Sequence, residues 1–449
     1  MTDPSAKVKK IILLLGDIII LYASLGLALF LRYWPDFSYT IFQKHLVPFT
    51  LVYLTWLLIF YIGGLYDLSL AKNTLLFYSI LLRSIIIGVA VAISFFYLIP
   101  LYGITPKTNL AIDILILTLL LYVWRQLFNY LIKSPALLNN VLIIGRNKEA
   151  EQLIRHVKGN PQLGYYIKKI ISEKDTDSVF NLIEIVIKEK IQTIVTIPDP
   201  RHDNTLVRNL YHCLPLKITL FNLPTFYERI SGKVPVSVIE EFWFLENLMD
   251  SQKNVYETFK RIFDLLFGLA LGIASLFLYP FIALAVKLDS SGPIFYQQKR
   301  VGQDSRIFQI VKFRSMVENA EKDGAKWAQK NDPRITRVGN FLRKTRLDEL
   351  PQLWNVIKGE MSFVGPRPER PEFVFGTNME RQIPFYQIRH LVKPGLTGWA
   401  QINFDYGSSL EDTIEKLQYD FYYLKNRSFV LDLAIILKTI KIILSGGGR

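Results

Sequence analysis

Residues 265–286, LLFGLALGIASLFLYPFIALAV, form an apolar run without one charged residue, long enough to cross a bilayer, for which ~20 residues suffice. Whether it crosses decides on which side of a membrane everything after it lies. Both flanks are basic, with Lys253, Lys260 and Arg261 before it and Lys287, Lys299, Arg300 and Arg306 after it. Lys and Arg favour the cytoplasmic side, so both ends are expected there. Pro280 lies within the run, where it removes a helical hydrogen bond and clashes with the preceding turn. A re-entrant element over residues 262–288, entering one leaflet, bending at Pro280 and returning, satisfies both facts. A kinked full span is the alternative, since membrane helices tolerate Pro.

Four further apolar runs, Ile11–Leu31, Leu46–Leu65, Ser84–Leu98 and Leu110–Leu131, predict a four-helix transmembrane bundle over residues 1–135. Lys7, Lys9, Lys10, Lys72, Arg83, Arg125 and Lys133 fall on one side of it, against Arg32, Lys44 and Lys107 on the other. Both ends of the bundle are therefore expected in the cytoplasm. The first run is too long for a signal-peptide core and lacks a small-x-small site at its far end, so it is expected to stay in the protein. Asp17 interrupts it, near enough to the cytoplasmic end to pair or snorkel rather than to serve as a functional acid.

Between residues 136 and 250, β-branched runs (NVLIIG, IQTIVTIP, LKITLFNLP) alternate with polar amphipathic stretches, which predicts a Rossmann-like α/β insert. After Gly145 the other two positions of a dinucleotide fingerprint are Asn147 and Ala150. Without the second glycine the backbone cannot readily approach a pyrophosphate. The insert is read instead as a regulatory, oligomerisation or packing domain, through which a homodimer or downstream glycosyltransferases would be engaged.

Residues 251–449 carry the chemistry. In RKTRLDELPQLWNVIKGEMSFVGPRP (343–368), the adjacent acids Asp348 and Glu349 are bracketed by Arg343, Lys344 and Arg346 and by Gly-Pro-Arg-Pro. Leu350, Leu353, Trp354 and Ile357 recur at helical spacing and Pro351 suits a first turn, so Asp348 is expected at or near a helix N-terminus. There the helix dipole and the cations favour the ionised carboxylate, the form that attacks phosphorus or binds Mg²⁺. The plainer reading is an N-cap followed by a first-turn acid. In KFRSM (312–316), strand alternation puts Lys312 and Arg314 on one face, either a phosphate-binding surface toward the acids or a solvated edge. Two prolines fix the backbone around Arg367, making its guanidinium a pre-positioned phosphate clamp.

From Phe259 onward the segments KRIFDLLFG, SSGPIFYQQKRVG, KFRSM, LDELPQLWNVIKGEMSFVGPRP and KPGLTGWAQIN resemble the polyprenyl-phosphate phosphoglycosyl transferases of the bacterial sugar transferase family. Membrane helices followed by a soluble insert resemble its large members. The resemblance implies an α+β catalytic domain with a re-entrant helix, in the bacterial inner membrane and facing the cytoplasm. It implies transfer of a hexose 1-phosphate from a UDP-sugar to undecaprenyl phosphate, with Mg²⁺ and release of UMP, as a first step of exopolysaccharide, O-antigen or capsule synthesis. Asp348 would attack the β-phosphorus and the lipid phosphate would discharge the aspartyl sugar-phosphate. Glu349 would be a metal ligand or a base, with Arg343 and Arg367 binding phosphate. A non-catalytic assembly or regulatory protein is the alternative, against which stands the intact motif set.

The rest of the sequence agrees with a membrane enzyme. The chain of 449 residues is 50% hydrophobic and 13% aromatic, with a formal net charge of +14, suited to anionic lipid and substrates. Nucleic acid is the rival for a basic chain, but no motif for it is present. PGLTGWAQ (394–401) either contacts a base or sugar or packs Trp399 in a turn. LDLAIILKTIKIIL near the end is an interfacial or a core helix. Cys213 is the only cysteine, so no internal disulfide forms, and the histidines at 45, 156, 202, 212 and 390 lack metal-ligand spacing.

Overall fold

The computed structural model describes residues 4–98, 107–134, 138–172, 181–197, 204–248, 253–318, 320, 332–376, 379–404, 407, 409–444 and 446. The expected boundaries at 135/136 and 250/251, His202 and most of the terminal SGGGR lie outside them. The chain forms two compact units, Met1–Ile230 and Ser231–Arg449.

In the first unit, the four expected runs are helices α1 (Pro4–Tyr33), α2 (Tyr39–Gly63), α3 (Leu75–Leu98) and α4 (Lys107–Leu131). Each is long and apolar enough to cross a bilayer. Leu21, Leu25, Phe49, Trp56, Leu81, Ile85, Leu117 and Leu121 meet between them, while Leu15, Ile19, Leu54, Leu82 and Leu115 face outward. Apolar residues on both sides are what a helix needs when its outer solvent is lipid. Asp17 does not snorkel. It is fully buried and ion-paired with Arg125 of α4, whose guanidinium also donates to the Leu65 carbonyl at 2.8 Å. A second buried acid that the sequence reading did not single out, Asp113, accepts from Ser24 at 2.7 Å and from Tyr53 at 2.9 Å.

The alternating segment is a four-stranded parallel sheet of order β2–β1–β3–β4, from β1 (Asn139–Ile144), β2 (Tyr165–Ile171), β3 (Thr193–Thr196) and β4 (Thr219–Asn222). Helices α5 (Lys148–Gly159), α6 (Leu182–Lys188) and α7 (Asn204–His212) intervene. Cys213 is buried among Ile144, Ile194 and Leu206, whereas His212 is exposed. In the turn after β1, the Asn147 side chain caps α5 by accepting from the Ala150 amide at 2.7 Å.

In the second unit, the run read first is two helices, α8 (Lys253–Leu276) and α9 (Tyr279–Asp289), bent by 59°. The break falls at Phe277–Leu278, and Pro280 occupies the first turn of α9, where its missing N–H costs no hydrogen bond. A hairpin of β5 (Phe295–Val301) and β6 (Ile307–Phe313) follows, then α10 (Arg337–Thr345), α11 (Leu353–Lys358), β7 (Ser362–Val364), β8 (Gly395–Thr397), α12 (Leu410–Asn426) and α13 (Phe429–Leu444).

Both ends of the bent pair are tied to this unit's core by polar side chains. On α8, ahead of the apolar run, Arg261 donates to the carbonyls of Val356 and Ile357 at 2.7 Å each, at the end of α11. Asp264 accepts from the Phe363 amide at 3.0 Å, and Lys260 pairs with Asp432 of α13. At the far end, Arg314 donates to the carbonyls of Val286 and Ser290 at 3.3 and 2.6 Å. Between these grips Leu266, Leu271, Ile273, Leu276, Phe277, Phe281 and Leu284 stay exposed.

The Asp17–Arg125 pair yields a prediction. Replacing either partner alone by Leu strands a buried charge and should cost on the order of 3–5 kcal/mol, whereas replacing both should restore much of it. Thermal unfolding in detergent checks this; additive losses would contradict the pairing.

Candidate active site

The acids sit on a tight turn. Arg346, in the left-handed region (φ 55°), ends α10 and opens a 3₁₀ segment, Leu347–Gln352, before α11 begins at Leu353. Asp348 thus lies near the helix start, as expected, but in the first turn of the 3₁₀ segment that leads into α11. Leu347 and Leu350 pack against a cluster made of Ile282 and Val286 of α9, Phe313 of β6 and Leu342 of α10. The acid-bearing turn is thus seated in an apolar cluster that α9 shares with β6 and α10.

Glu349 is caged by cations. Lys312 Nζ, Arg346 Nη1 and Arg367 Nη2 each lie 3.4 Å from its carboxylate oxygens. Burial acts to raise its pKa, but the charges of Lys312, Arg367 and Arg346 outweigh that and hold it well below the usual carboxylate range. Asp348, 7% exposed, is pushed the other way, to about 6. Burial is the main cause and the Glu349 charge adds to it, against the pull of Lys312, Arg343 and Arg367. The expected bias toward ionisation is therefore reversed, although at neutral pH Asp348 is still mostly charged.

Of the cations singled out, Lys312 and Arg367 reach Glu349, and Arg343 is close enough to act on Asp348. Arg314 does not join them. It lies just beyond β6, buried, with its guanidinium turned onto Ser290 and Val286 where α9 ends.

Parallel strands β7 and β8 bring the Gly-Pro-Arg-Pro loop against the Pro-Gly-Leu-Thr-Gly turn. The Gly365 amide donates to Thr397 O and that of Gly395 to Pro366 O, both at 2.9 Å. A Cβ at Gly395 would fall 2.1 Å from the Gly365 nitrogen, so only glycine permits the approach. Trp399 is a packing residue here: it stacks on Tyr422, with ring centroids 5.2 Å apart, and donates to the Gly232 carbonyl at 2.7 Å. α13 combines both readings of its sequence, burying Ile435 and Asp432 while exposing Val430, Leu433 and Leu444.

Residues 255–446 match the family model described as bacterial sugar transferase. A Haemophilus influenzae protein named an uncharacterized sugar transferase is 31% identical over 355 residues, 71% of this chain and 72% of that protein. The chain belongs to the bacterial sugar transferase family. An Aeromonas hydrophila relative, a UDP-N-acetylgalactosamine-undecaprenyl-phosphate N-acetylgalactosaminephosphotransferase, is 43% identical over 244 residues. An undecaprenyl-phosphate glucose phosphotransferase of Komagataeibacter xylinus is 32% identical over 336. These alignments take in 54% and 72% of this chain and span 56% and 63% of the respective relatives' lengths.

The opposed shifts give opposite pH linkages. The folded state holds the Asp348 proton more tightly than the unfolded chain, so this residue removes stability as pH rises from about 4 to about 6. Glu349 is depressed, so its contribution is present above its unfolded value near 4.5 and is lost as pH falls below it. In metal-free buffer at pH 7.5, Asp348→Asn should raise stability by on the order of 2–3 kcal/mol, and Glu349→Gln should lower it. Near pH 4 the Asp348→Asn gain should vanish. A stabilised Glu349→Gln would contradict the cation cage.

Proposed function

We propose that the protein transfers a hexose 1-phosphate from a UDP-sugar to undecaprenyl phosphate at the cytoplasmic face of a bacterial inner membrane, releasing UMP. The observation that carries this reading is the acid pair, Asp348 buried and Glu349 partly so, among Lys312, Arg343, Arg346 and Arg367. With four cations against two carboxylates, the site retains positive charge for a diphosphate, and arginine suits phosphate through paired donors.

The two acids have separate tasks. Asp348 is nucleophilic once deprotonated: a carboxylate oxygen attacks the β-phosphorus, the bond to the α-phosphate oxygen breaks, and UMP leaves with the electron pair. The lipid phosphate oxygen then attacks the same phosphorus, and the aspartyl carboxylate is released. Glu349, held ionised by three cations, is a poor base; its task is to hold Lys312, Arg346 and Arg367 in place and to share a metal. Among the described residues no cluster of three or more metal-ligating side chains occurs. Mg²⁺, however, ordinarily binds through one or two carboxylates plus substrate phosphates, which Asp348 and Glu349 fit. Bound there, it would neutralise charge developing on the leaving phosphate.

A cytoplasmic, water-soluble donor and a membrane-embedded acceptor meet only at the interface. The bent pair supports that placement, since one soluble unit grips both its ends while its middle stays apolar and exposed. The pair is read as re-entering, not crossing.

Purified protein incubated with a panel of UDP-sugars, without acceptor, should release UMP stoichiometric with enzyme and gain a sugar-phosphate on the peptide carrying Asp348. Asp348→Asn should lose both, and EDTA should stop turnover. Arg367→Lys should cost at least about tenfold, since a point charge cannot replace a two-pronged contact. UMP release unchanged in Asp348→Asn would eliminate the covalent route.

A further inference from the structure

The carbonyl side of the Gly-Pro-Arg-Pro loop is held by buried charged side chains that the chemistry above does not use. Arg389, 5% exposed, lies on the 3₁₀ turn Tyr386–Leu391. Its Nη2 donates to the carbonyl oxygen of Arg367 at 3.2 Å and stands 2.7 Å from Asp420 Oδ2 on α12; its Nη1 donates to the Tyr386 hydroxyl at 2.8 Å. The next carbonyl, that of Pro368, accepts from Arg300 Nη1 at 3.2 Å. Consecutive carbonyls of this loop are thus each taken by a guanidinium.

Burying charge beside an already cationic site is costly unless the charges are paired, and a loop needing only anchorage could be tied by backbone amides. Arg389 does more than anchor. With prolines fixing the backbone on both sides of Arg367, a hydrogen bond to its carbonyl removes remaining rotation of that peptide, and so sets where the side chain leaves the loop. That side chain ends 3.4 Å from Glu349.

We propose that Arg389, itself held by Asp420 and Tyr386, is a positioning residue that aims Arg367 at the diphosphate of the donor; this rests on the reading of Arg367 as a phosphate clamp. Arg389 touches no substrate. Its effect passes through one peptide group, so it vanishes when the Arg367 side chain is absent.

The test is a double-mutant cycle with near-isosteric changes, Asp420→Asn and Tyr386→Phe, each alone and combined with Arg367→Ala. UMP release and acceptor KM are measured on full-length protein whose thermal unfolding is recorded alongside. In the wild-type background each change should lower kcat/KM for the UDP-sugar about 10- to 100-fold, the scale of a misplacement near 1 Å, and leave the acceptor KM unmoved. With Arg367→Ala the same changes should alter rates by less than about twofold. Equal losses in both backgrounds, or unaltered kinetics in both single variants, would overturn the positioning role while leaving the transferase reading standing. A wild-type protein that releases no UMP from any UDP-sugar would remove both.

Discussion

The grip of Arg314 on the end of α9 is the contact on which the arrangement of the second unit turns. Its guanidinium reaches Val286 O, Ser290 O and Ser290 Oγ, and 53 residues earlier in the chain Arg261 performs the reciprocal task on the end of α11. Carbonyls at helix ends must find donors, and a buried arginine supplies several at once. Pulling apart the two ends of an apolar segment held this way would strip charged groups from their partners. The acid-bearing turn packs through Leu347 and Leu350 into the cluster that Ile282 and Val286 share with Phe313 and Leu342, and so belongs to the same packed core.

At the turn itself, two adjacent carboxylates are driven apart in behaviour by what surrounds them. Glu349 absorbs the attraction of three cations and stays charged; Asp348, buried and beside that charge, carries the electrostatic cost. Divergence of neighbouring titratable groups marks sites where one acid organises and the other reacts. The same cost implies that Asp348 destabilises the resting fold, which a cation arriving in the site would relieve.

Much of this was legible locally. The four membrane runs, the apolar run with its proline, the alternation of the sheet and the acid pair all depend on patterns within some twenty residues, which periodicity and charge bias capture. Asp348 stands near a helix start as its pattern suggested, but that start is a 3₁₀ turn following Arg346 in the left-handed region, a backbone choice no pattern announces for arginine. Lys312 and Arg314 were placed on one face by strand alternation, but the strand ends at Phe313, and beyond it nothing obliges the face to continue. The Arg389–Asp420 and Asp17–Arg125 pairs join residues far apart in sequence, so no local signal exists for either.

The central claim is that the bent pair leaves and returns to the same side, holding the acids at the cytoplasmic face. With Cys213 replaced by Ala, single cysteines at Glu241 and at Lys299, one on each side of the pair, can be probed with an impermeant thiol reagent on intact spheroplasts and on inverted vesicles. Re-entry requires both positions to react only in the inverted vesicles. Reaction of position 299 from outside, with position 241 protected, would mean that the pair crosses the membrane, and would contradict the account.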